Sequence, residues 1–434
     1  MDSKILFRNL NYKNSFLLIF SFFPLLFLFG PAFNNFLSVI IAIYGIYLIF
    51  FNKYLFLIKN KFMYIFLLFI CILFLTSFFS INFKYSFKAT LLYAPYYFYF
   101  LAGIFIFSKF RDKNFIFLYW SICLSIIIIL IFVLHEALSG PIPTTDINYH
   151  GFYNSYEEGF KGVFINKILG IYLIKIYPLF FGLSLSIYKR VNILSLIILF
   201  MSAIFIFLSF HRTSILMFFF MNLLILFAYR NYWKKIFKIS LIFLPLFFLI
   251  LISTPNIHEK IIIKTVDQLF ENNNFQIYPK HYIGHYKTAL NMIEKNLITG
   301  VGTDSFSINC SNREFVYIYD SFINEENKIN YLNSCSTHPH NFYLQIFSEN
   351  GVFAFSILLL FYFFILNEFK LIALSKKYYS DHLYKFCIIS TICIYFPFAP
   401  SVNFYSTYMS SLNYFSVIFI IFYKLKLKYN LFKY

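Results

Sequence analysis

The chain has 434 residues, 60% of them hydrophobic and 24% aromatic, and only 12% charged, about half the charged share of a soluble domain. This composition excludes a soluble enzyme and a nucleic-acid-binding module. The net charge of +18 at pH 7 is therefore read as membrane topology rather than as affinity for nucleic acid.

Apolar runs long enough to cross a bilayer as helices recur about twelve times. They fall near 14–29, 35–52, 62–80, 88–108, 114–135, 166–188, 192–210, 212–229, 236–253, 343–366, 383–400 and 404–423. The expected fold is an all-α, polytopic transmembrane bundle. Spans one to nine occupy 1–253, a large extracytoplasmic loop occupies 254–342 between spans nine and ten, and the last three spans and a cytoplasmic tail occupy 343–434. The first run follows Lys4, Arg8 and Lys13 without a small-residue cleavage site after it, so it reads as a retained span.

Charge sets the orientation. With the N-terminus in the cytoplasm and sides alternating, 23 of the 36 basic residues fall inside, joined only by Asp2, Asp112, Glu368 and Asp381 among the acids. That is a strong positive-inside bias, and it puts both termini in the cytoplasm. Two hydrophilic segments, 136–165 and 254–342, then lie outside. Eight of the nine histidines fall on that side or at its edge; His382 is the exception. Lys175 is the main charge within a span, too little mid-span polarity for a transporter.

The outer loop holds the polar chemistry. Ile257–Phe270 has apolar residues at helical spacing, suited to the membrane interface. His281–Lys295 reads as an amphipathic helix with Tyr282, His285, Tyr286, Ala289, Met292 and Ile293 on one side. Gly300-Val-Gly302 is a turn rather than a nucleotide loop, lacking the third glycine and the Lys-Ser/Thr. Ser311–Asn333 reads as polar and irregular. Cys310 and Cys335 are the only cysteines in polar sequence. An exported compartment favours a disulfide between them, worth about 3 kcal/mol by chain entropy. His281 and His285 have i,i+4 spacing that suits zinc, but no carboxylate completes a His-Glu-x-x-His pattern and no metal is expected.

Four pieces occur in order: Ser209-Phe-His-Arg-Thr-Ser214, His285-Tyr-Lys-Thr-Ala-Leu-Asn-Met-Ile293, Gly300-Val-Gly-Thr-Asp-Ser-Phe306, and Thr337-His-Pro-His-Asn-Phe-Tyr-Leu-Gln345 with Glu349-Asn-Gly351. Over roughly 195–355 the chain resembles the O-antigen ligase and polymerase superfamily of bacterial envelopes. The Cys-bracketed His-Pro-His-Asn piece is similar to a subgroup usually labelled as ligases.

The resemblance implies transfer of a glycan from an undecaprenyl-pyrophosphate carrier to a hydroxyl at the outer face of the inner membrane. The acceptor is lipid A–core in a ligase and a carrier-linked repeat unit in a polymerase. It also implies an inverting reaction without metal or other cofactor, an essential arginine and an essential histidine.

Side-chain chemistry fits those roles. An imidazole suits a base near neutral pH, with His340 first choice and His338 second. Arg212 suits a bidentate grip on the pyrophosphate. A second cation is expected from the amphipathic helix, where many relatives carry an arginine and this chain offers Lys280, His281, His285 and Lys287, of which His285 fits the subgroup pattern best. Asn341 suits a helix cap or orienting group.

Overall fold

The computed structural model describes residues 15–51, 58–59, 61–139, 160–164, 168–229, 263, 266–267, 270, 280–317, 334–374 and 381–429. The predicted span 236–253 lies outside them, as do most of the 136–165 and 257–270 segments and residues 318–333. Among the described residues the structure is all helical.

A short helix, Phe23–Leu26, precedes α1 (Pro31–Phe50). There follow α2 (Lys61–Phe78), α3 (Phe83–Tyr93), α4 (Tyr96–Ser108), α5 (Asp112–Ser139), α6 (Leu169–Tyr188), α7 (Ile193–Leu208) and α8 (Arg212–Ala228). Then come α9 (Lys280–Lys295), α10 (Phe342–Leu374), α11 (His382–Ile394) and α12 (Thr407–Tyr429). Among the described residues seven stretches are long and apolar enough to cross a membrane: α1, α2, α3 with α4, α5, α6, α10 and α12. Three predicted spans become shorter apolar helices, α7, α8 and α11.

Proline accounts for two departures from the predicted spans. The run 14–29 is helical in short pieces, broken ahead of Pro24. The run 383–400 stops as a helix at Ile394. Pro397 and Pro400 lack the N–H a helix needs and disfavour helical geometry in the residue before them. Residues 395–406 are thereby freed to form a strap between α11 and α12.

Helix α12 is the most enclosed of the seven long apolar stretches, with 89% of its apolar window buried. It packs against α4, α11, α1 and α6, and α6 in turn packs against α11, α7, α5 and α8. Large apolar side chains such as Phe36, Leu68, Ile131, Leu223 and Phe363 face outward, a surface that suits lipid rather than water. The chain is a multi-pass membrane protein.

Helix ends meet in two groups. Ends read as outer meet one another: Ser80 donates to the Val301 carbonyl (3.0 Å) and Ser401 N–H to the His340 carbonyl (2.7 Å). Ends read as inner do the same: Tyr229 shares a hydrogen bond with His382 (2.7 Å), and Lys424 pairs with Glu368.

Candidate functional site

A polar knot ties the glycine turn to the start of α10. Val301 N–H donates to the Ser348 carbonyl (2.9 Å), and Gly302 N–H to the Glu349 carbonyl (2.8 Å). The buried Glu349 carboxylate accepts from the backbone of Asp304 (3.1 Å) and Phe306 (2.8 Å) and from Gln345 (3.3 Å). Asn350 donates to Thr76 (2.9 Å) and Thr303 (2.8 Å). Helix α10 kinks at Gly351, where φ is +72° and ψ −174°. The Gly-Val-Gly turn and the Glu-Asn-Gly piece are thus architecture: buried polar groups satisfied by one another.

The histidine motif sits above this knot, and its local sequence sets its shape. Pro339 keeps His338 out of helical geometry. His340 then adopts a left-handed backbone, φ +54°, an uncommon state for a residue with a side chain that costs on the order of 1–3 kcal/mol. Asn341 next opens α10: its Oδ1 accepts from Tyr343 N–H (2.9 Å) and Leu344 N–H (3.1 Å), and its Nδ2 donates to the Pro397 carbonyl (2.7 Å).

The two histidines differ. His338 is 7% exposed. Its Nε2 lies 3.0 Å from the Ser401 carbonyl and so must carry the proton, while Nδ1 meets the Thr337 hydroxyl at 2.9 Å. Burial pushes its pKa down from 6.5 to about 4, His285 acts in the same direction, and the Ser401 carbonyl opposes them. At neutral pH His338 is a neutral donor with both nitrogens engaged, which suits orientation better than proton abstraction. His340 is half-exposed, its ring 4.2 Å from that of His338.

Helix α9 adds the next layer. The ring of His285 lies 5.6 Å from that of His340, and the ring of Tyr282 lies 5.3 Å from it. Burial raises the Tyr282 pKa, and the charge of Arg212, in the first turn of α8, partly offsets the rise. Beside it, His211 caps α8 by accepting from Ser214 N–H at 3.2 Å.

Tyr282, His285, His338 and His340 are therefore brought together, with Arg212 in electrostatic range of Tyr282. Lys287 is not. Two positions from His285, it is turned away around the helix, donates to the Tyr317 hydroxyl (2.7 Å) and packs over that ring. The disulfide Cys310–Cys335, Cα atoms 5.2 Å apart, closes a loop within the segment between α9 and the histidines. Tyr317 N–H donates to Thr288 and Asn291 donates to the Phe315 carbonyl, so 311–317 is pinned to α9 rather than loose. Among the described residues no group of three or more His, Cys, Asp or Glu is placed to hold a metal ion.

A cavity of about 240 Å³ opens beside His338 and His340. Its wall also includes Tyr282, His211, Ser401 and Lys175. Ser401 falls in the short gap between the predicted spans 383–400 and 404–423, where only the nearby Pro397 and Pro400 signalled a longer loop. Lys175 carried the right signal, a lone charge in an apolar run.

One consequence is a pH dependence. An unfolded His338 takes up a proton near pH 6.5, the folded one near pH 4. Between those values the unfolded state binds more protons, so site stability falls as pH drops from 6.5 towards 4, by about 3 kcal/mol in all. Amide hydrogen exchange over 336–345, corrected for intrinsic rates, should speed up across that window, and His338→Gln should flatten the dependence. Unchanged protection in the wild type would refute it.

The fold and site define a multi-pass helical membrane protein whose titratable groups gather around a cavity at one end of the bundle. Residues 197–359 match the family model described as O-Antigen ligase, which supports the O-antigen ligase and polymerase superfamily and an activity of that ligase- or polymerase-like kind. No curated protein matches the chain.

Proposed function

We propose that the protein is a glycosyltransferase of the bacterial inner membrane that moves a glycan from undecaprenyl pyrophosphate to an acceptor hydroxyl on the periplasmic face. The favoured acceptor is lipid A–core, which makes it an O-antigen ligase. The observation that carries this reading is the half-exposed His340 at a cavity, with Arg212 near enough to act on the neighbouring Tyr282.

In the proposed step the acceptor hydroxyl attacks the anomeric carbon from the face opposite the pyrophosphate. Its proton passes to His340, and the anomeric C–O bond breaks with its electrons on the pyrophosphate. The configuration inverts and no metal takes part. Arg212 holds the charge that builds on the leaving group, the larger electrostatic task in such a transfer. The N-termini of α8 and α10 both open at this site, and their dipoles favour an anion. His338 and His285 orient His340, and Asn341 fixes the helix that follows.

Purified protein supplied with a synthetic carrier-linked glycan tests this. Glycan appearing on lipid A–core is the expected result. Lengthening of the carrier-linked chain instead would make the protein a polymerase, and no transfer to either acceptor would overturn the reading.

A further inference from the structure

Lys175 lies six residues inside α6, among apolar neighbours, at 5% exposure. A charge at that depth is costly and persists where it meets a partner, a cavity or a ligand. Among the described residues it has no ion pair, and its side chain's one hydrogen-bond contact is weak, Nζ to the Met409 sulfur at 3.7 Å. Its side chain instead lines the cavity beside His338 and His340.

Two more polar atoms are left over on the same wall. Asn413 Oδ1 and Ser401 Oγ are buried with no hydrogen-bond partner among the described residues, and both residues line the cavity. Buried polar atoms are seldom left unpaired unless something else supplies the partner.

Helix geometry gives the depth. Lys175 is six residues from Leu169 at the start of α6, and Asn413 six from Thr407 at the start of α12. At 1.5 Å per residue each lies about 9 Å below its helix end. The imidazoles of His338 and His340 and the ring of Tyr282 hold the mouth; an ammonium and an amide hold the floor.

We infer that Lys175 is a pyrophosphate-binding residue, which holds the leaving group of the donor from the membrane side while His340 meets the acceptor from the aqueous side. The inference rests on the donor class proposed above and supplies the second cation that Lys287, packed on Tyr317, does not. Of the reacting groups only the pyrophosphate is an anion, so it alone gains from an ammonium in a water-poor cavity. As the anomeric C–O bond breaks, the electron pair moves to the pyrophosphate oxygen between Arg212 and Lys175, and the acceptor proton goes to His340.

Farnesyl pyrophosphate, a short lipid pyrophosphate, tests this by thermal stabilisation of the full-length protein in detergent. Lys175→Met should weaken its apparent affinity roughly tenfold or more, and Lys175→Arg should retain most of it. Equal affinity in wild type and Lys175→Met overturns the inference. Inorganic pyrophosphate distinguishes the source: Lys175-dependent binding of this free anion with none of the farnesyl ligand overturns the donor assignment.

Should Lys175→Met fail to fold, Lys175→Gln is measured in its place. Failure of both would assign the lysine to the fold and overturn the inference. Binding is read without glycan or acceptor, so a protein that binds farnesyl pyrophosphate through Lys175 yet transfers no glycan refutes the proposed function alone.

Discussion

His340→Asn should lower glycan transfer by about 10²–10⁴-fold, the usual worth of a positioned base, with little loss of folded protein. Asparagine is the informative replacement because His340 has φ +54°, a backbone state that asparagine tolerates and alanine resists. The variant therefore removes the base and keeps the turn. The carbonyl of residue 340 still accepts from Ser401 N–H, a bond of 2.7 Å in the wild type. Turnover within tenfold of wild type at equal protein level would remove His340 from the base role. His338→Gln is the matched control: an amide N–H can replace the Nε2 donor to the Ser401 carbonyl, so its loss should be smaller.

The second large effect falls on stability. Gly351 has φ +72° and ψ −174°, a region that is essentially glycine's alone and costs other residues on the order of 1–3 kcal/mol. A Cβ there would also sit 1.9 Å from the Ile298 carbonyl oxygen. Backbone bonds on both sides of the kink, Val301 N–H to Ser348 and Val352 N–H to Leu297, leave little room to move. Gly351→Ala should thus cost about 3 kcal/mol or more, read as a fall in melting temperature and in recovery of monodisperse protein. Gly30 has a similar backbone, φ +93° and ψ 179°, with nothing within 4 Å of an added Cβ. Gly30→Ala should be distinctly milder, and equal damage from the two would show that the clash contributes nothing.

These two residues mark where sequence reading worked and where it stopped. The histidine motif was legible because its parts are adjacent: proline, left-handed histidine and helix cap act within four residues. Helix α9 was legible from its apolar face, and the transmembrane class from composition. The Glu-Asn-Gly piece was visible as a motif, but its job was not, since Thr76 and Thr303, partners of Asn350, lie far away in the chain. Hydropathy also carried span eleven through Phe396, Phe398 and Ala399, although Pro397 and Pro400 spoke against a helix there. The strap that positions His338 was lost with that choice. Lys175 was noticed as a charge, yet only the shared cavity relates it to the histidines.

The strap carries a consequence for biogenesis. His338 donates to Ser401, 63 residues further on, and Gln345 donates to Asn403, 58 residues further on. Synthesis is vectorial, so the histidines leave the ribosome well before the residues that seat them. A chain arrested ahead of Pro397 would contain every motif residue and no finished site. Completion of the site then waits for the final helical pair.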